Sequence, residues 1–292
     1  MKNILVTGGA GFIGTNLITE LIKEYPASSI YSLDCYSSGT IENHIAGVNY
    51  IEGHTWNIFE FFNPNEFDLI YHFGEFSRIV YSFENIQFVS ESILRGTPTV
   101  LEFARRGGSK IIYSASSSKF GNSGENENLS PYSFMKAKMV ELIKNYGKWF
   151  DLDYEIAYFY NVYGPKQIYE GPYATVIAIF ERQYLKNEPL TVVKPGSQTR
   201  DFTHVKDIIN GLMKIRLKKT CSEYHLRSGK KYEIIQIAKM FSNNIKYIPE
   251  RKGERFNAED SFDNTEERLE WRPENSIIEW IRIIKENKLG VG

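Results

Sequence analysis

The chain is short of the residues on which several common functions depend. Of its 292 residues only two are cysteine, Cys35 and Cys221. They form no C-x-x-C pair and no disulfide framework, which suits a reducing compartment. The five histidines are scattered, so no metal-ligand cluster is expected. The formal net charge is −1, which gives no basic footprint for nucleic acid or an anionic membrane. Long apolar runs are missing too. Stretches such as "TVIAIF" fall far short of the roughly 20 helical residues that cross a bilayer. The start, "MKNILVTGGAGFIG", has too short an apolar run for a secretory signal. These absences lead us to expect a soluble cytoplasmic protein with no metal, no nucleic acid and no membrane partner.

What is present is ordinary globular material. Hydrophobic residues make up 42% of the chain, enough for a substantial core. The length suits one large domain or two coupled ones. Six short β-rich stretches appear in the first half, at 3–8, 29–34, 48–53, 68–73, 110–115 and 154–160. Helical patterns at 12–24, 85–106 and 132–150 lie among them. This alternation predicts an α/β fold, a doubly wound parallel sheet covered on both faces. After about residue 162 the pattern loosens. A strand at 190–193 mixes with helices near 173–186, 205–217, 233–242 and 276–287. We therefore expect a dinucleotide-binding domain over 1–161, with 201–225 returning to it. A smaller C-terminal α/β substrate domain would occupy most of 162–292.

"TGGAGFIG", residues 7–14, follows the first strand and opens the first helix. Gly9, Gly11 and Gly14 fit G-x-G-x-x-G, and Gly8, Gly11 and Gly14 fit G-x-x-G-x-x-G. Glycine permits the tight turn and lets backbone approach a pyrophosphate. The helix N-terminus adds free N–H groups and a favourable dipole. Phe12 and Ile13 complete the cofactor-facing turn. Asp34 stands 20 residues past Gly14, at the tip of the second strand. A carboxylate there accepts the ribose hydroxyls of NAD and repels the 2′-phosphate of NADP. No arginine follows it in "DCYSSG", so NAD is the expected cofactor.

A second helix opens at "SPYSFMK", residues 130–136. Ser130 can cap it and Pro131 suits its first turn. Tyr132 and Lys136 stand at i and i+4, side by side on one face. A free phenol titrates near pH 10 and is a poor base at neutrality. A cation beside it favours the phenolate, which can take a proton from a sugar hydroxyl. A bare Y-x-x-x-K is common by chance; its weight here comes from the glycine loop that precedes it.

Taken together, these blocks resemble the extended short-chain dehydrogenases/reductases, and within them the nucleotide-sugar epimerases and dehydratases. The resemblance runs through "TGGAGFIG", "SASSSKFG", "SPYSFMK", "YFYNVYGPKQ", "SQTRDFTHVKD" and "ERKGE", in order and across nearly the whole chain. It implies that Ser116 relays the reacting hydroxyl's proton to Tyr132. It further implies that Asn161, Arg200 and Arg251 hold a substrate diphosphate, and that Glu254 meets the nucleotide ribose. The strand at 190–193 would read the base with its backbone. A homodimer formed through the helices at 85–106 and 132–150 is the family's usual assembly. Dehydratases of this kind carry acids at the two positions after the serine, and the decarboxylating branch keeps a glutamate at the second. Here these are Ser117 and Ser118, and serine cannot serve as an acid at neutral pH. The expected reaction is therefore 4-epimerisation of a UDP-hexose or UDP-N-acetylhexosamine.

Some positions depart from the pattern. Glu75 and Phe76 in "HFGEFSR" stand where small or amide residues are usual. Glu75 is expected either to touch the sugar, to supply acid chemistry from an unusual place, or to be a buried structural carboxylate. His54 replaces an aspartate that commonly meets adenine. Ser92 replaces an asparagine, Lys119 a small apolar residue and Lys206 an acid.

Overall fold

The structure is a computed structural model that describes residues 3–121, 129–257 and 263–289. Seven parallel strands make the main sheet, in the order β3-β2-β1-β4-β5-β6-β9. They are β1 (Ile4–Thr7), β2 (Ile30–Asp34), β3 (Asn49–Glu52), β4 (Leu69–His72), β5 (Lys110–Ser116), β6 (Tyr154–Phe159) and β9 (Glu223–Leu226). The first six coincide with the β-rich stretches of the sequence. The seventh, "EYHL", was not expected as a strand; it pairs with β6 and carries the chain back to the main sheet.

The pleat sends alternate residues to opposite faces. Leu5, Ile70, Ile111 and Ile156 join one core, packed under the helices Gly96–Gly107 and Pro131–Phe150. Ile4, Val6, Leu69, Tyr71 and Ile112 join the other, under Phe12–Leu21 and Val205–Ile215. Both faces are covered, so the strands read as apolar runs rather than alternating ones.

A third core lies beyond the sheet, around Tyr163, Phe180, Val192, Ile237 and Ile281. It joins the helices Val176–Leu185, Ile234–Phe241 and Ile277–Leu289 to two small sheets. In one, β7 (Leu190–Val193) pairs parallel to β11 (Ile245–Ile248). In the other, β8 (Thr199–Asp201) pairs antiparallel to β10 (Lys231–Glu233). The expected helix at 85–106 is real but broken: Ile86–Ser90 passes through a π-turn, Glu91–Arg95, before Gly96–Gly107. Such π-turns often sit beside functional sites. Here the turn brings the Ser92 hydroxyl under the Phe76 backbone N–H, at 2.8 Å.

The order 3-2-1-4-5-6 reverses direction between β1 and β4. A crevice forms there, beyond the strands' C-terminal ends, where open α/β sheets bind ligands.

Candidate active site

The crevice is a cavity of about 490 Å³. Its floor is the glycine turn. Gly8 adopts φ +74°, a backbone region that favours glycine. Gly14 packs beneath it, and a Cβ there would lie 2.2 Å from the Gly8 carbonyl oxygen. Gly11 precedes the helix Phe12–Leu21 with no side-chain cap, so the first N–H groups stay available to a ligand. Asp34 closes this end, with its Oδ2 accepting from the Ala10 N–H at 3.0 Å and its Oδ1 from Tyr36 at 2.9 Å. Gly8, Gly11, Phe12, Ile13, Gly14 and Asp34 all line the cavity. His54 lies on the same wall, stacked on Trp56 with ring centroids 3.9 Å apart. A glycine cradle that excludes side chains, open helix N–H groups and a fixed carboxylate fit a dinucleotide.

Another wall of the cavity joins β5 to the helix Pro131–Phe150. The Ser130 hydroxyl caps that helix by accepting from the Ser133 N–H at 3.1 Å, and Pro131 occupies its first turn. Tyr132 and Lys136 are both buried. Burial pushes the Tyr132 phenol up to about 12, against a lowering hydrogen bond from Ser116. The Ser116 and Ser118 hydroxyls are 2.8 Å apart. Ser116, Tyr132 and Lys136 all line the cavity.

Glu75 is where the geometry adds most. Its side chain is 2% exposed and ion-pairs with Lys136. It also accepts from the Thr97 hydroxyl, and from Tyr113 Oη at 3.2 Å. Lys136 in turn donates to the Ser114 carbonyl at 2.5 Å. Although Glu75 borders the cavity, its carboxylate is engaged beneath Lys136. His72 lies 4.0 Å away; burial holds its imidazole down to about 4, hence neutral. Asp34 and Glu75 are the two carboxylates in the cavity wall among the described residues.

Several cations face the same space. Arg200 pairs with Glu254 at 2.5 Å and donates to the Arg255 carbonyl at 2.6 Å. Asn161 donates its side-chain amide to the Asp201 carbonyl at 2.8 Å. Asn161, Arg200 and Arg251 line the cavity, whereas Glu254 sits behind Arg200 and outside the wall. Two arginines went unnoticed in the sequence. Arg255 is 5% exposed and donates to the Ser117 carbonyl at 2.6 Å. Arg78 donates to the Ser77 carbonyl at 2.8 Å and to that of Tyr173. Its Nε is closed off from solvent and has no partner. Burial lowers its guanidinium to about 10, and its electrostatic neighbours are the phenols Tyr132 and Tyr173 rather than a carboxylate. Arg78 ends the quoted block "HFGEFSR" and Arg255 follows directly after "ERKGE", next to residues that drew attention first.

Fold and site together define a dinucleotide-binding protein whose tyrosine and lysine face the cofactor's crevice. The chain belongs to the NAD dependent epimerase/dehydratase family, whose model matches residues 4–234. NAD is the family's cofactor. UDP-glucuronic acid decarboxylase 2 of Arabidopsis thaliana is 26% identical over 94% of this chain, which spans 65% of that protein's length. A protein of Methanocaldococcus jannaschii, named provisionally as a UDP-glucose 4-epimerase, is 29% identical over 96% of both chains. Among solved structures, UDP-glucose 4-epimerase of Thermotoga maritima with UDP-glucose superposes with a TM-score of 0.88 at 24% identity, covering 99% of this chain and 100% of that one. Among the described residues no helix is long and apolar enough to cross a membrane, and no three His, Cys, Asp or Glu side chains are grouped so as to hold a metal ion.

Proposed function

We propose that the protein is a nucleotide-sugar 4-epimerase acting on a UDP-hexose or UDP-N-acetylhexosamine. One observation carries this reading: the redox set is assembled while the elimination set is lacking. Ser116, Tyr132 and Lys136 converge on the cavity, and Ser117 and Ser118 present no acid. Glu75, the remaining carboxylate at that end, is tied to Lys136. The named activities of the relatives, 4-epimerase and decarboxylase, share a 4-keto sugar, and this chain keeps only what the epimerase needs.

Bound NAD supplies reversible hydride transfer at C4. Tyr132, as phenolate, takes the C4 hydroxyl proton, and Ser116 relays it. Once hydride has returned to the other face of C4, Tyr132 gives the proton back to the C4 oxygen, which completes an isomerisation. Lys136 would hold the cofactor ribose. Arg200, Arg251 and Arg255 hold the diphosphate, for which a guanidinium's forked donors are suited. Asn161 joins them through the loop after β6.

We place the homodimer on the helices at 85–106 and 132–150, supported by the exposed Ile86, Leu94 and Phe134. Light scattering on a size-exclusion column tests this: Phe134→Glu is expected to turn a dimer into a monomer.

The enzyme is tested by NMR with UDP- and GDP-hexoses and no added reductant. UDP-glucuronate belongs in the panel because Arg78 faces the cavity without a carboxylate. A slow approach to a mixture of C4 isomers is the expected result. A 4-keto-6-deoxy product would replace this reading with a 4,6-dehydratase that uses Glu75 as acid. Bound NAD with no turnover of any sugar would favour a nucleotide-binding regulator.

A further inference from the structure

The chain from 160 to 175 joins β6 to the helix Val176–Leu185 without forming a helix or a strand of its own. Irregular connections of this length are uncommon in compact domains and are usually functional. This one reaches back to the elements that build the cofactor crevice. Near its start, the Asn16 amide on the helix Phe12–Leu21 donates to the Pro165 carbonyl at 3.0 Å. Its middle is tied to its own helix: Gln167 and Tyr169 both donate to the Glu181 carboxylate, at 2.8 Å and 2.9 Å. Its far part is tied to the loop after β4. There the half-buried Arg78 donates to the Tyr173 carbonyl, and its guanidinium lies 5.8 Å from the centroid of the Tyr173 ring. That ring also meets Phe76 and Tyr81 edge-on, with centroids 5.9 Å and 6.1 Å away. Beside this clasp is a second hollow of about 450 Å³, bordered by Tyr81, Pro172 and Tyr173 and by Ser37 and Ser38. Ser37 and Ser38, just past Asp34, also line the cofactor crevice, as do Ile168 and Pro172, which border both spaces. One layer of chain therefore separates the hollow from the crevice.

We infer that residues 168–174 form a strap across the cofactor crevice, held shut by the Arg78–Tyr173 clasp, and that NAD enters and leaves when this clasp opens. Opening joins the hollow to the crevice beside Asp34, the carboxylate placed for the cofactor's ribose. Gly171 is the turn that absorbs the movement. It has φ +76°, and a Cβ built there meets nothing within 4 Å, so neighbouring atoms leave it room. Hinges of this kind are a few loop residues that take up the backbone change while the flanking elements stay fixed. The Glu181 anchor keeps the first half of the strap in place, and the clasp governs the second. A hydrogen bond from a charged donor shifts such an opening equilibrium by about tenfold or more. NAD is the family's cofactor, so the strap acts whichever sugar is turned over.

Release of labelled NAD from the holoenzyme tests this with no sugar present. Enzyme loaded with radiolabelled NAD is chased with an excess of unlabelled NAD, and the label retained with the protein is counted over time. Arg78→Met is expected to speed release by about tenfold or more. Arg78→Lys should fall between, because an ammonium keeps a donor but loses the planar fork. Backbone hydrogen exchange, read by mass spectrometry at saturating NAD, should rise over 168–174 in Arg78→Met and stay unchanged at the glycine turn. Asp34→Asn is the contrast: it should speed NAD release and leave exchange in the strap as it was. Tyr173→Leu takes the ring away from Phe76 and Tyr81 and should repeat the Arg78→Met pattern, which keeps the test open if that variant folds poorly. Faster release together with faster exchange in the strap supports the inference. Faster release with an unaltered strap makes Arg78 a direct NAD contact and overturns it. A loosened strap with unchanged release, or no change in either, overturns it as well.

Discussion

At the cofactor end of the cavity the wall is mostly backbone; at the sugar end it is mostly long charged side chains. Gly8, Gly11 and Gly14 shape the first by having no side chain, and one carboxylate, Asp34, adds the specificity. Arg78, Arg200, Arg251 and Arg255 shape the second, and they come from three separate places in the chain: the approach to the helix Ile79–Ser82, the strand β8 and the stretch after β11. A backbone cradle tolerates almost no change, because a Cβ has nowhere to go. A side-chain wall can be altered piece by piece, each residue changing affinity or rate by its own amount. This contrast explains how one cofactor chemistry can serve substrates that differ from enzyme to enzyme.

The sharpest way to break the comparison is at the junction of the two ends. Tyr132→Phe removes the base while leaving both walls intact. Turnover is expected to fall by about 10²–10⁴-fold, with NAD still bound and the unfolding temperature little changed. Next comes the cradle. Gly14→Ala drives a methyl into the Gly8 carbonyl, a clash the backbone relieves only by moving. Overpacking of this kind costs about 1–3 kcal/mol, read as a lower melting temperature together with loss of NAD. At the other pole, Arg255→Met should raise KM for the nucleotide sugar about tenfold or more, the usual effect of losing a charge-assisted hydrogen bond. NAD affinity should stay constant. Asp34→Asn should do the reverse, weakening NAD and relaxing discrimination against NADP, with sugar KM unchanged.

The smallest effect concerns pH and stability. His72 is buried between Thr7 and Thr97, at 2.8 Å and 3.0 Å. Its folded pKa, about 4, lies below the ordinary value of 6.5. Between these values the unfolded chain binds a proton that the folded chain refuses, so stability falls as the pH drops from 6.5 to 4. His204 behaves alike. His72→Gln should flatten part of that slope in melting curves taken across this range.

The same contrast governs what could be read from the sequence. The glycine turn, Asp34 and the Tyr132–Lys136 pair are local patterns, set by strand tips and a helix repeat, and all are found where the spacing puts them. The six sheet strands are equally legible, because strands buried on both faces read as apolar runs. The seventh, "EYHL", alternates charge with apolar side chains and looks like a loop. Glu75 was noticed as unusual, but its partner lies 61 residues away, and only the fold shows that its carboxylate is engaged. Arg255 reaches Ser117 across 138 residues. Glu254, expected at the substrate ribose, pairs with Arg200, a partner 54 residues away in sequence. Long-range charge pairing leaves no spacing signature, so this part of the site required the structure.

The central claim is that the chain performs redox at C4 without elimination across C5 and C6. Elimination must break the C5–H bond and restore it from solvent, whereas epimerisation through a 4-keto sugar returns the original hydride. Incubating the holoenzyme with its nucleotide sugar in deuterium oxide therefore tests the claim most directly. The account predicts C4 isomers carrying no deuterium on carbon. Deuterium at C5, with loss of the C6 hydroxyl or carboxylate, would contradict it.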